Sequence, residues 1–222
     1  MKVSEAILSR KTVRQFSDQP VSEALVRELI ETAKRAPSGG NLQPWTLHVL
    51  TGEPLKALVE EVSGKLLAGV VEEAEYPSYP ENLKDPYKTR RRIVGQQLYD
   101  LIGVPREDTP GKLKQLARNF RFFDAPVGIF FVLDRQMEVF QHADLGMFMQ
   151  NLMLLAREKG LHTCAQGAWA RWANTVSSSL GLADHEILFC GMALGYEDES
   201  AVINKLHSER AAFEDFVTLK GF

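Results

Sequence analysis

Apolar positions in this chain repeat with helical spacing over most of its length and switch to strand-like patterns at a few places. Ser4 to Ser9 is a short helical candidate. Ser22 is a capping residue for the next helix, where Leu25, Val26, Leu29, Ile30 and Ala33 recur on one face until Pro37 ends it. Trp45 to Thr51 then alternates and carries β-branched and aromatic residues, which predicts a strand. A third helix is predicted from Pro54 to Val71, with Leu55, Leu58, Val59, Val62 and Leu66 at helical spacing. Further helical patterns run from Lys88 to Leu101 and from Lys112 to Phe122.

Ala125 to Leu133 is continuously apolar, the signature of a strand covered on both faces, and it should lie inside a sheet. His142 to Lys159 has almost no polar face after its first turn, because Leu145, Met147, Phe148, Met149, Leu152, Met153, Leu154 and Leu155 crowd it. Such a helix is buried in a core or against a second subunit. Gly160 supplies its stop. A short strand at His162 to Ala165, a helix at Ala173 to Leu180 and a strand at Ile187 to Leu194 complete the regular elements.

Between these elements, residues 73 to 87 change character. Pro77, Pro80 and Pro86 interrupt them, acidic residues crowd the start, and Tyr76, Tyr79 and Tyr87 punctuate them. Such an excursion is either a plain surface loop or a cover over a site; it is read here as a lid spanning 73 to 92.

Composition narrows the class. The 222 residues suffice for one sizeable core, and the chain reads as a single domain over 1 to 222. A hydrophobic content of 45% with 25% charged residues is that of an ordinary globular protein, and a net charge of -3 gives no global attraction to nucleic acid. Lys84, Lys88, Arg90, Arg91 and Arg92 do cluster, and they read as a solvated helix face. Cys164 and Cys190 read as small core residues rather than a disulfide framework. The N-terminus lacks the apolar core of a secretory signal and no apolar run is long enough to span a bilayer, so the expected location is cytoplasmic.

No G-x-G-x-x-G, phosphate loop, nucleophile elbow or H-E-x-x-H occurs, and the five histidines never fall at metal-ligand spacing, so no metal is assigned. Two segments stand out instead. Arg10-Lys11-Thr12-Val13-Arg14 crowds three cations and a hydroxyl, which repel unless solvated or paired with an anion such as a phosphate monoester. Pro37-Ser38-Gly39-Gly40-Asn41-Leu42-Gln43-Pro44-Trp45 gathers prolines, glycines and hydrogen-bonding side chains into one loop.

Together these segments resemble the FMN-dependent nitroreductase family, which opens with a basic segment and continues to a Pro-Ser-x-x-Asn-x-Gln-Pro-Trp loop. Phe123 to Val127, Asp144-Leu145-Gly146 with Gln150-Asn151-Leu152, and Gly191 to Tyr196 are similar to the family's later strands and long helix. The resemblance implies an α+β fold with a mixed, mostly antiparallel central sheet flanked by helices, in an intertwined homodimer. It implies that Arg10, Lys11, Thr12 and Arg210, with Lys205, hold the FMN phosphate and that Arg14 approaches the pyrimidine edge of the ring. Pro37, Ser38, Gly39, Asn41 and Gln43 would line the flavin, commonly from the neighbouring subunit, and Gln166-Gly167 would present a backbone N–H to flavin N5. Tyr76, Tyr87 and Arg91 would shape the substrate face.

The implied activity is ping-pong hydride transfer from NADH or NADPH through flavin N5 to a small aromatic acceptor, a nitroaromatic or quinone, with no side chain as catalytic nucleophile. Other readings are a dehalogenase-like or flavin-consuming enzyme, in which Glu75, Tyr76 and Lys88 meet a charged substrate, and a non-catalytic FMN-binding protein. No nucleic-acid or membrane partner is expected.

Overall fold

The computed structural model describes residues 1–222 and contains seven α-helices and four strands. In chain order these are α1 (Val3–Ser9), α2 (Glu23–Ala33), β1 (Thr46–Thr51), α3 (Gly52–Leu67), α4 (Tyr87–Leu101) and α5 (Thr109–Ala117). They continue with β2 (Val127–Asp134), α6 (Val139–Glu158), β3 (His162–Gln166), α7 (Ala173–Leu180) and β4 (Glu186–Gly195). The strands form one sheet in the order β1-β2-β4-β3, and all three pairings are antiparallel. Of the mixed character expected, the parallel part is a single bridge from Thr12 to Thr163 on β3.

The strand read as covered on both faces is β2, interior to the sheet and buried from Val127 to Leu133. Because successive side chains on a strand point to opposite faces, its residues divide between two cores. Phe130 and Val132 join Leu55, Leu58, Phe120, Phe122 and Trp169 on one face. Ile129, Phe131 and Leu133 join Val26 and Leu29 of α2 and Phe148 and Leu152 of α6 on the other.

The helix expected over Lys112 to Phe122 is shorter, because α5 stops at Ala117 and Arg118–Asp124 tightens into 3₁₀ turns. Phe122 (φ 50°), Phe123 (φ 53°) and Asp124 (φ 67°) there adopt left-handed backbone, which costs of order 1–3 kcal/mol per residue. Burial of two aromatic rings offsets that cost. Phe122 stacks on Trp169 with centroids 4.7 Å apart, and Phe130 meets the same indole edge-on at 5.1 Å. The neighbouring strands make room: a Cβ at Gly191 would lie 2.3 Å from Trp169 Cδ1, and one at Gly128 would lie 2.8 Å from Phe122 Cζ.

Only one stripe of α6, from Leu145 through Phe148, Met149 and Leu152 to Ala156, is buried within the chain. Val139 and Phe140 are about three-quarters exposed, at 74% and 76%, and Met147 is also open. Ile7 and Leu8 of α1 and the terminal Phe213, Phe216, Leu219 and Phe222 are exposed as well. No helix is long and apolar enough to cross a membrane.

Candidate functional site: a cationic cavity beside β3

The basic segment leaves α1 in an extended path alongside β3, where Val13 N donates to Thr163 O at 3.2 Å. Val13 and Phe16 are buried in the core and pin the segment at two points. With Val13 turned inward, Arg10, Lys11, Thr12 and Arg14 line a cavity of about 780 Å³. Thr163 and Ala165 of β3, Gln150 and Met153 of α6, and Val94 of α4 form other walls.

The far end of the chain closes the cavity. Asn204, 2% exposed, accepts Arg14 N–H on Oδ1 at 2.8 Å and donates from Nδ2 to Gln15 O at 2.8 Å and Asp198 O at 3.0 Å. Its own carbonyl accepts from Lys11 Nζ at 3.0 Å. This clasp brings Leu206, His207, Ser208 and Arg210 against the basic segment, where all four line the cavity. Arg210 Nη1 donates to Ser208 O and Oγ at 2.9 and 2.8 Å.

The cations here are not equivalent. Lys11 pairs with Glu197 at 2.6 Å, and the other Glu197 oxygen lies 3.2 Å from His162 Nε2. Arg10, Arg14 and Arg210 have no carboxylate partner among the ion pairs of the molecule. Burial, followed by the neighbouring charge of Arg210, pulls the Arg10 pKa below the ordinary guanidinium value. Two uncompensated guanidinium groups lining one cavity, with a hydroxyl beside them, are the donor set that an anion with several oxygens calls for. A phosphate monoester fits that donor set. His162 is held neutral, its pKa pushed down to about 4 by burial and then by Arg157 and Lys11.

Other candidates lie elsewhere. Lys205 is exposed and outside the cavity, and its place is taken by His207 and Ser208, which had no distinguishing sequence signal beyond their nearness to Arg210. Gln166 is buried and donates through Nε2 to Asn119 O at 2.6 Å, so its side chain faces the core while Ala165 faces the cavity. Gly167, next along, is exposed. Pro37, Ser38, Gly39, Asn41 and Gln43 lie outside this cavity. Their loop packs on the start of α6, where Gly39 N donates to Asp144 Oδ2 at 3.1 Å and Gln43 N to Ser38 Oγ at 3.0 Å. Asp144 precedes Gln150, the nearer of the two α6 residues that line the cavity, by six residues, roughly 9 Å along the helix axis, so the two stand at different levels of α6.

The excursion is pinned at its start. Glu72 accepts Thr175 N–H at 3.2 Å, Glu75 pairs with Arg135 at 2.5 Å, and Tyr76 Oη donates to Leu188 O at 2.9 Å. Tyr76 is therefore an anchor on β4. Tyr87 is 62% exposed, and Arg91 lies over the Tyr79 ring at 4.0 Å. Between residue 73 and the end of α4, Val94 alone reaches the cationic cavity.

The chain is similar to known proteins over most of its length. The model of the nitroreductase family matches residues 7–196. A chloronitrobenzene nitroreductase from Comamonas testosteroni is 38% identical over 97% of this chain and 96% of its own length. A 4-nitrobenzoate reductase from Pseudomonas putida is 37% identical over 97% and 94%. Among solved structures, the FMN- and NADPH-dependent nitroreductase NfnB from sphigopyxis sp. strain HMH superposes with a TM-score of 0.97, at 42% identity over all of both chains. The NfnB of Mycobacterium smegmatis, solved in complex with NADPH, has a TM-score of 0.93 at 27% identity over 98% of each chain. The chain belongs to the nitroreductase family.

Proposed function

We propose that this protein is an FMN-dependent NAD(P)H oxidoreductase that reduces nitroaromatic acceptors and works as a homodimer. The observation that carries this reading is the set of three guanidinium groups, Arg10, Arg14 and Arg210, that share one cavity with no carboxylate to neutralise them. Arg10, Arg210, Thr12 and Ser208 would hold the FMN phosphate. Lys11, already bound to Glu197, would fix the segment rather than contact the phosphate. Arg14 would stand by the pyrimidine edge of the ring, where a fixed cation favours negative charge at N1 and O2. When bound, FMN supplies the N5 atom that takes a hydride from the nicotinamide and returns electrons to the acceptor. The protein's part is orientation, electrostatics and the exclusion of water.

Dimerisation completes the site. The open apolar residues of α1, α6 and the C-terminal stretch form surface of the kind that a second copy covers. The loop from Pro37 to Gln43, remote from the cavity of its own chain, would then line the flavin of its partner. In the same reading 1–222 is one domain, the excursion of 73–92 flanks the acceptor face, and the protein acts in the cytoplasm on reduced nicotinamide there. A dehalogenase-like activity draws no support from the excursion, since Glu75 and Tyr76 are both engaged by other groups.

The test is direct. The purified protein should carry a yellow chromophore in a one-to-one ratio, bleach anaerobically with NADPH, and regain its colour on addition of nitrobenzene or menadione. A sample that stays colourless after incubation with excess FMN, or a flavoprotein that neither nicotinamide reduces, removes the reading.

A further inference from the structure

A second hollow, of about 620 Å³, lies against a neighbouring face of α4. Lys88, Arg91, Arg92 and Gly95 line it at i, i+3, i+4 and i+7, so they form one stripe of the helix, and Lys84 and Asn82 face them from the preceding segment. Val94, on the adjacent face of the same helix, lines the cationic cavity. The two hollows therefore share α4 as a common wall.

The cations in this hollow outnumber the carboxylates near them. Lys84, Lys88, Arg91 and Arg92 take part in none of the ion pairs of the molecule. Two carboxylates are near. Glu81 forms part of the wall, and Asp85, held ionised chiefly by hydrogen bonds from Thr89, feels Lys88 and Arg92 more weakly. Four cations against two carboxylates leave the hollow positive. Arg91 is also stacked over Tyr79 at 4.0 Å, which fixes the plane of its guanidinium while its N–H groups remain free to donate. Gly95 has no atom within 4 Å of the place where a Cβ would stand, so the helix backbone there borders open space.

We propose that this hollow receives the adenosine 2′-phosphate of NADPH, with Arg91 and Arg92 as its ligands, and thereby favours NADPH over NADH. The inference rests on the reading above and extends it. A dinucleotide that lays its nicotinamide in the cationic cavity must carry its adenylate half out of it. Val94 lines the cationic cavity and Lys88, Arg91 and Arg92 of the same helix line the hollow, so that half would pass over α4 to reach it. From Val94 back to Lys88 is roughly 9 Å along the helix axis, a distance that the ribose-pyrophosphate link covers. A phosphate dianion matches the net excess of positive charge left by four cations and two carboxylates, and NADH lacks that phosphate. A carboxylated acceptor such as 4-nitrobenzoate offers the same anionic chemistry from another source, and the arms of the experiment separate the two.

The measurement uses the holoprotein and the double variant Arg91→Gln/Arg92→Gln. By calorimetric titration the wild type should bind 2′,5′-ADP at least about tenfold more tightly than 5′-AMP, and the variant should bind the two alike, as the loss of two charge-assisted hydrogen-bonding groups requires. With nitrobenzene as acceptor, kcat/KM for NADPH should fall on the order of 30-fold, and that for NADH less than about threefold. Flavin content, read from the visible spectrum, should not change. Gly95→Glu, which sets a carboxylate in the open hollow, should lower NADPH use in the same direction.

Equal binding of the two nucleotides by the wild type overturns the proposal. So does an equal loss of NADH and NADPH turnover in the double variant, or a rise in KM for 4-nitrobenzoate with NADPH unaffected. Failure of the protein to hold flavin would instead sink the reading it rests on, while the 2′,5′-ADP titration would still report on the hollow.

Discussion

The side-chain oxygen of Asn204 accepts the backbone N–H of Arg14 at 2.8 Å, joining two points 190 residues apart in the chain. The same amide donates to the carbonyls of Gln15 and Asp198. A single buried side chain thus sets the distance between the two cationic ends of the cavity. Asn204→Ala leaves one N–H and two carbonyls without their partner, and should destabilise the fold by about 2–4 kcal/mol. FMN affinity should fall with it. Urea unfolding and a flavin-fluorescence titration measure the two effects. Asn204→Asp should not rescue them, because it turns an oxygen toward two carbonyl oxygens.

Arg10 and Arg210 repel one another when no anion lies between them. Arg10→Ala and Arg210→Ala should each weaken FMN binding by roughly ten- to a hundredfold, the scale of one charge-assisted hydrogen bond. The thermal midpoint of the flavin-free protein should stay level or rise, since repulsion is relieved. Calorimetry with and without FMN checks the opposite signs. A fall in the flavin-free midpoint would mean that the two arginines serve the fold rather than the ligand.

Gly191 lies under Trp169, with room for a hydrogen and nothing larger. Gly191→Ala should cost about 1–3 kcal/mol or more, because the indole is wedged between Phe122 and Phe130 and cannot retreat. Gly64 within α3 has nothing within 4 Å of its missing Cβ, so Gly64→Ala should stabilise by up to about 1 kcal/mol through helix propensity. Chemical denaturation of the pair, read by tryptophan fluorescence, tests both signs.

His162 titrates at about 4 in the fold against 6.5 for an ordinary histidine. Between those values the unfolded chain binds a proton that the folded chain refuses, so this residue's contribution to stability is present above pH 6.5 and is lost as pH falls toward 4. His162→Gln should remove that component. The stability of the variant, followed by urea titration from pH 7.5 to 4, should decline less steeply than that of the wild type. Parallel curves would show that the imidazole keeps its ordinary pKa.

Much of this architecture was legible in the chain. The continuous apolar run became the interior strand β2, and Ser22 caps α2 by accepting Leu25 N–H as its position suggested. Arg10, Lys11, Thr12 and Arg14, which the chain sets within five positions, line one cavity with Arg210. What misled was mostly local. The helix expected to reach Phe122 ends at Ala117, since burying Phe122 against Trp169 and Phe123 in the same core outweighs helical propensity in the last turn. Tyr76 was expected on the substrate face, but its hydroxyl found a backbone carbonyl at the edge of β4.

By itself, then, the sequence determined the elements and the charge inventory, because hydrophobic period and residue type are local properties written at each position. Only the tertiary structure decided which cations are free. Lys11, Arg10, Arg14 and Arg210 carry the same unit charge on paper, yet Glu197 neutralises the first and nothing neutralises the others. The basic stripe of α4, which reads as a solvated face, likewise became a hollow once Lys84 and Asn82 folded opposite it. Pairing and enclosure depend on which distant residues come within a few ångströms, and that is a consequence of packing that no single stretch of sequence contains.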